Sequence, residues 1–393
     1  MNKWKQQKLG DVADIKLSNV DKKTNPNERT IRLCNYTDVY RNSFINSEKA
    51  SSFMVASCND KEYEKFLLKK GQVAITKDSE TSDDIGIPTY ILEDFHDVVL
   101  GYHLSLITPD DNKLDGRFLH YFLCTKQSKT YFENNTGGSG QRYSLSLDCI
   151  KSIPLNLPDL STQQKIAAVL SALDTKIELN ARINAELESM AKTVFRYQFV
   201  ENKEKGNWKI GTLGDVAENI RRSANPSDIS PETHYIGLEH MPRKSIALAE
   251  YGNASELESN KYAFKTGEFL FGKLRPYFHK VGIAPVDGVC STDILVISPK
   301  SPEWYGFVLG HISSDEIIKY ADATSGGTKM PRTNWESLAK FEISMPPVEL
   351  AKQFTDFFVP IAKQIRTNIL ESQTLTELRD WLLPMLMNGQ VRV

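Results

Sequence analysis

STQQKIAAVLSALDTKIELNARINAELESMAKTVFRYQFV, residues 161–200, runs for 40 residues without a proline or a glycine. Ser161 with Gln164 reads as a capping box at its start. Behind it, Ile166, Val169, Leu173, Asn180, Ile183, Leu187, Met190 and Val194 recur at three- and four-residue spacing, the pattern of an amphipathic helix with one polar seam position. At about 1.5 Å per residue a helix of this length spans roughly 58 Å. A globular domain of about 150 residues has no need of such a rod. The stretch therefore reads as a connector or a partner-binding coiled coil, with a core helix of a globular bundle as the competing reading.

The stretch has a second copy. At an offset of 188, Phe354, Phe357, Ile361, Asn368, Leu375, Leu378 and Leu382 fall on the same seam, with Asn368 answering Asn180 and Glu371 answering Ile183. The globular parts repeat as well. WKQQKLGDVA at 4–13 returns as WKIGTLGDVA at 208–217, KSIPLNLPDL at 151–160 as KFEISMPPVE at 340–349, and YHLSLITPD at 102–110 as TDILVISPK at 292–300. Two copies of one long unit indicate a duplication rather than a solenoid. Within each copy, strand-like runs precede a helical stretch (118–134 and 304–322), then a Gly-rich loop and a Pro-punctuated strand. The expected fold is α+β, with duplicated α/β-type globular domains and two long helices pairing as an antiparallel coiled coil under a pseudo-twofold. The boundaries read as 1–160 for the first domain, 161–205 for the central helix and linker, 206–345 for the second domain and 346–393 for the C-terminal helix. Asn180 and Asn368 either specify the helix register or are tolerated polar positions.

Composition sets the outer limits. The chain has 393 residues, 48 Lys+Arg against 50 Asp+Glu, 40% hydrophobic and 25% charged residues, an ordinary globular mixture rather than a disordered tail, a fibre or a polycation. Residues 1–160 carry 21 basic and 22 acidic side chains and residues 201–345 carry 17 and 19, so neither domain is globally basic. Any grip on nucleic acid must then be confined to one face and strengthened by partners. No apolar run is long enough for a membrane span and no signal peptide is visible at the start, so a membrane location is not expected. Five cysteines without a CxxC pair suit a reducing cytoplasm and argue against disulfides or structural zinc.

In two places the residues are more specific. LNARINAELESMAKTVFRYQFV at 179–200 and LRDWLLPMLMNGQVRV at 378–393 resemble the two conserved helical regions of type I restriction–modification specificity (S) subunits. The LGDVA segments and the Pro-rich strand before each helix are also typical of that family, and the resemblance covers the whole chain in order. It implies a DNA-reading subunit without catalytic chemistry. In that family each recognition domain reads one half of a split target in double-stranded DNA. The paired helices hold the domains apart and dock two adenine methyltransferase subunits, and two restriction (motor/nuclease) subunits complete the complex. S-adenosylmethionine, ATP and magnesium are then expected on the partner subunits, and no cofactor, metal or catalytic residue on this one.

A search for chemistry agrees with this. Neither a Gly-rich donor turn nor an NPPY-like loop is present, SGGTKM at 325–330 lacks the ending and spacing of a phosphate-cradling P-loop, and Pro109-Asp110-Asp111 reads as a turn rather than a nuclease motif. His103 and His120 read as structural. DNA binding asks instead for cations and small residues on loops. The Gly-rich loops TGGSGQRYSLS at 136–146 and TSGGTKMPRTNW at 324–335 supply Gly138, Gly326 and Gly327 for close backbone approach, with Arg142, Lys329 and Arg332 as cations. Lys22, Lys23, Arg221 and Arg222 follow the opening segments, and Lys77, Lys273 and Arg275 follow strands at equivalent points, where they could read guanine edges or backbone. Tyr102 and Tyr143 are further candidate contacts. A solvated surface charge is the plain alternative for each cation. At the level of the chain the rivals are a protein-interaction scaffold on a coiled coil and a stand-alone methylase or nuclease.

Overall fold

The computed structural model describes residues 4–393 except Gln141, Glu256, Thr328 and Arg392. It divides into two compact units, one of residues up to Asp174 together with Glu377–Val393, the other Thr175–Thr376. Two long helices, Leu160–Phe195 and Val348–Met387, contribute to both. This partition differs from the domain-and-helix division read from the repeats and the helical pattern, because each helix end is packed into a domain core. No described helix is long and apolar enough to cross a membrane.

In the first unit a five-stranded sheet runs in the order Ala13–Leu17, Leu104–Pro109, Val73–Thr76, Pro88–Ile91, Phe44–Ile45. A three-stranded sheet of Met54–Cys58, Arg29–Cys34 and Val98–Leu100 accompanies it. The central strands are buried on both faces, small and polar residues such as Ala74, Thr89 and Ser105 included. Phe118, Leu119 and Phe132 from the helices Gly116–Cys124 and Lys126–Asn135 cover one face. Ile166, Ala167 and Leu170 of the first long helix join that core, with Leu386 and Met387 of the second. The second unit repeats the plan with a four-stranded sheet, Ala217–Asn219, Ile294–Pro299, Phe269–Gly272, Val281–Ile283, and a separate five-stranded one. Its core is aromatic: Phe195 and Phe199 near the C-terminal end of the first long helix pack on Phe307 and Phe354, with Phe199 5.0 Å from Phe307 between ring centroids. The helix ends there in a π turn, Arg196–Val200.

The sequence echoes acquire a physical meaning. The strand Lys5–Lys8 pairs antiparallel with Pro154–Leu157, and Lys209–Thr212 pairs with Glu342–Met345 in the same sense. In each unit one echoed segment is thus the strand partner of another. The N–H of Leu9 donates to Ile153 O at 3.1 Å and that of Leu213 to Phe341 O at 2.9 Å, extending the pairing into the LGD turn. Asp11 and Asp215 accept from the N–H groups of Lys8 and Thr212 and cap that turn. The glycine between them is needed for close approach: a Cβ on Gly10 would stand 3.0 Å from the Lys151 Cβ, and one on Gly214 3.1 Å from Ala339.

The long helices pair antiparallel within the second unit. Asn180 Nδ2 donates to Glu371 Oε2 at 2.8 Å, and Asn368 Nδ2 to Asn184 Oδ1 at 2.8 Å, one turn further along one helix and one turn back along the other. In the first unit Asp174 accepts from Arg379 Nη1 at 2.7 Å and from the Tyr121 hydroxyl at 2.6 Å. Two details depart from the pattern read in the sequence. The cap is Asp159, which accepts from the N–H and hydroxyl of Thr162, rather than the Ser161/Gln164 box. The seam is also rotated. Ile166, Asn180, Phe354, Ile361 and Asn368 are buried, and Leu173, Leu187, Val194, Leu375 and Leu382 partly so. Val169, Ile183, Met190, Phe357 and Leu378, however, are between 36% and 43% exposed. A strict heptad drifts about 20° per repeat on a straight helix, which brings Leu170, Ala191, Phe195, Phe358, Ile365 and Ile369 inward instead.

Candidate nucleic-acid interface

In the first unit the strand Val73–Thr76 ends at Lys77, where three segments meet. The Lys77 N–H donates to His103 O at 3.0 Å, and Lys77 O accepts from the Leu145 N–H at 2.8 Å. His103 takes the left-handed conformation, φ 67°, which turns its ring onto Asp78, with Nδ1 2.5 Å from Oδ2. Lys77 Nζ reaches the same oxygen at 3.0 Å. Burial works to raise the Asp78 pKa, but hydrogen bonds from Ser144, His103 and Lys77 outweigh it and hold the carboxyl below its usual range. The Tyr102 ring lies against His103 at 4.1 Å, and the Lys22 ammonium sits 5.7 Å over that ring. The hairpin Gly137–Ser139/Arg142–Ser144 closes the third side, its second strand pairing with Asp78–Ser79. Gly138, at φ 118°, permits the turn: a Cβ there would stand 2.2 Å from Arg142 O. Exposed Arg142 and half-buried Tyr143 are carried on this hairpin. Tyr36, Tyr40, Asp84, His103 and Arg142 line a cleft of about 610 Å³ above it.

The second unit builds the same frame from different side chains. The strand Phe269–Gly272 ends at Lys273, whose N–H donates to Asp293 O at 2.8 Å and whose carbonyl accepts from the Thr333 N–H at 3.1 Å. Lys273 and Asp293 thus stand where Lys77 and His103 stand. Arg332 is paired through its backbone with Gly326 in both directions, at 3.1 and 3.0 Å, and Gly327 turns at φ 92°. The Arg332 guanidinium rests on Asp293 at 3.1 Å. Lys329 is exposed on the same loop. Arg275 is left-handed at φ 49°, its N–H held by Pro331 O at 2.8 Å, and its guanidinium lies 6.0 Å from the Phe278 ring. Arg243 also packs on this aromatic segment, 4.1 Å from the Phe278 ring, and the neighbouring Tyr277 is 48% exposed.

Other candidates are engaged elsewhere. Arg222 is clamped by both oxygens of Glu268 at 2.7 Å, and Arg221 pairs with Glu336 at 2.8 Å. Lys23 is exposed beside Asp21. Asp78, His103 and Asp293 were not singled out as site residues by sequence reasoning. The offset of 190 that aligns His103 with Asp293 was the one available signal. Among the described residues no three His, Cys, Asp or Glu side chains are grouped to hold a metal ion.

The model of the type I restriction modification DNA specificity domain matches residues 1–189 and again 205–378, once for each copy. The chain belongs to this family. The type I restriction enzyme HindI specificity subunit of Haemophilus influenzae is 24% identical over 472 aligned residues, covering 100% of both chains. The MjaIX specificity subunit of Methanocaldococcus jannaschii is 25% identical over 320 residues, covering 73% of this chain and 71% of its own. Among solved structures, the type I restriction–modification S subunit from M. genitalium superposes with a TM-score of 0.59 at 15% identity, covering 98% of this chain and 96% of the other. That likeness supports the same fold. Membership in the specificity family implies DNA target recognition.

Proposed function

We propose that this chain is the non-catalytic, sequence-reading subunit of a type I restriction–modification complex. Each unit reads one half of a bipartite, asymmetric target in double-stranded DNA, and the long helices set the spacing between the halves. Two adenine methyltransferase subunits dock on the helices and two motor/nuclease subunits complete the complex. S-adenosylmethionine, ATP and magnesium belong to those partners, and the complex works in the cytoplasm. The observation that carries the reading is the repeated frame at Lys77 and Lys273, which is the same in its backbone hydrogen bonds and different in its side chains. Dissimilar side chains on equivalent scaffolds are what two different half-sites require.

Sequencing of methylated bases in DNA from cells expressing the chain with its cognate methyltransferase subunit tests this reading. The expected motif has two unlike defined halves around an unspecified spacer. One contiguous palindrome, or no new methylation, would overturn it. Duplex retardation by the assembled complex should also weaken steeply with salt, whereas a protein scaffold would show no such slope.

A further inference from the structure

The two frames hold their arginines differently. Arg332 Nε donates to Asp293 Oδ1 at 3.1 Å and Nη2 to Oδ2 at 3.4 Å, so the carboxylate occupies the side edge of the guanidinium. The end-on edge, formed by Nη1 and the second Nη2 hydrogen, is left pointing away from Asp293 on a side chain that is 51% exposed. Its backbone is fixed as well, by both bonds to Gly326, while the neighbouring Thr333 N–H is tied to Lys273 O. Part of the ordering of the arginine is therefore in place before any ligand arrives. In the first unit the position equivalent to Arg332, one before Leu145, holds Ser144, and the Asp293 position holds His103, whose ring is committed to Asp78.

We propose that Arg332 is a specificity-determining residue that reads a guanine in the major groove, and that Asp293 is its positioning residue. The proposal rests on the DNA-reading function argued above. A pair of parallel N–H donors needs two acceptors on one base edge, and in the major groove guanine O6 and N7 provide them. The carboxylate also separates this role from phosphate binding. An Arg–Asp pair is neutral overall and places an anion beside any phosphate that approaches, whereas the uncharged guanine edge incurs no such repulsion.

The test compares methylation motifs of the wild-type chain with those of R332K and D293N, each assembled with the methyltransferase subunit, together with the salt dependence of duplex binding. Lysine keeps the charge and loses the fork. R332K should relax one position, a guanine in one half-site, by about 5- to 150-fold in discrimination, leaving the other half and the salt slope unchanged. D293N should relax that same position less, since it weakens the clamp without removing the reader. An R332K motif identical to wild type, a relaxed position that is not guanine, or a uniform loss across all sequences would each overturn the assignment while leaving a bipartite wild-type motif intact. If the wild-type chain directs no motif, the DNA-reading function falls and this assignment with it.

Discussion

Burial controls the protonation of two histidines. His120 is enclosed in the first unit, and burial pushes its pKa down to about 4, against a partial opposing pull from Asp174. His311, packed among the rings of Phe195, Phe307 and Phe341 in the second, is pushed down to about 3 by desolvation. Both are neutral when folded, and the unfolded chain takes up their protons first as pH falls. Their contribution is therefore complete above the ordinary histidine pKa near 6.5 and is lost progressively below it, by up to ~1.4 kcal/mol per pH unit for each. Urea unfolding at pH 7.5 and pH 5 should show this loss, and His120→Leu should flatten part of the slope. Asp174 holds both Tyr121 and Arg379, with 16% of its side chain exposed. Asp174→Asn should cost about 2 kcal/mol in the same assay, because it leaves Arg379 without its charge partner. Residue identities foretold few of these roles. Arg142 and Arg332 could be picked out as cations in Gly-rich loops, and Lys77 and Lys273 as cations just after strands. Which cations are free and which are clamped depends on carboxylates distant in sequence, such as Glu268 for Arg222 and Asp293 for Arg332.

Among the elements, the long helices were the most legible and still the most instructive in their errors. Absence of proline and glycine with three- and four-residue spacing sufficed to place the first near Leu160, and the second, which carries Pro360 and Pro384, was placed near Val348 by its alignment on the first at an offset of 188. The buried stripe was harder to read, because it includes polar side chains that a search for apolar residues rejects. Gln163 accepts from the Asp115 N–H and donates to Lys113 O and Pro158 O, and Glu188 accepts from the N–H groups of Ile246 and Ala247. Each is a helix side chain serving a loop of its own unit. Asn180, Asn184 and Asn368 form a polar layer in which each amide has a partner. Asn368→Ala should cost about 2 kcal/mol in thermal or urea unfolding, since it strands Asn184 in a buried position. Replacing Asn180 and Asn368 together by Leu should recover part of that loss, at the expense of a unique helix register. A disulfide-trapping series along the two helices would reveal that by cross-linking at more than one offset.

For the whole molecule, the duplication was legible from three short echoes, and a prediction follows from the proposed ruler. One helical turn adds about 5.4 Å, against about 3.4 Å per base pair. Inserting four residues near Glu178, with a matching insertion in the facing helix, should lengthen the unspecified spacer by one or two base pairs in the methylation motif. An unchanged spacer would remove the ruler from the reading. The strand pairs Lys5–Lys8/Pro154–Leu157 and Lys209–Thr212/Glu342–Met345 have another consequence. Each zips the point where the chain enters a globular body to the point where it leaves. The two ends emerge side by side whatever lies between them, so the intervening residues form a cassette whose remaining ties to its mounting are the contacts with the helix ends, such as Phe307 on Phe195 and Phe199. A foreign body with the same zipped ends and an apolar face matching Phe307, grafted between Trp208 and Met345, should unfold as cooperatively as the original. Specificity could then change by exchanging whole bodies, with no need to remake the frame that carries them.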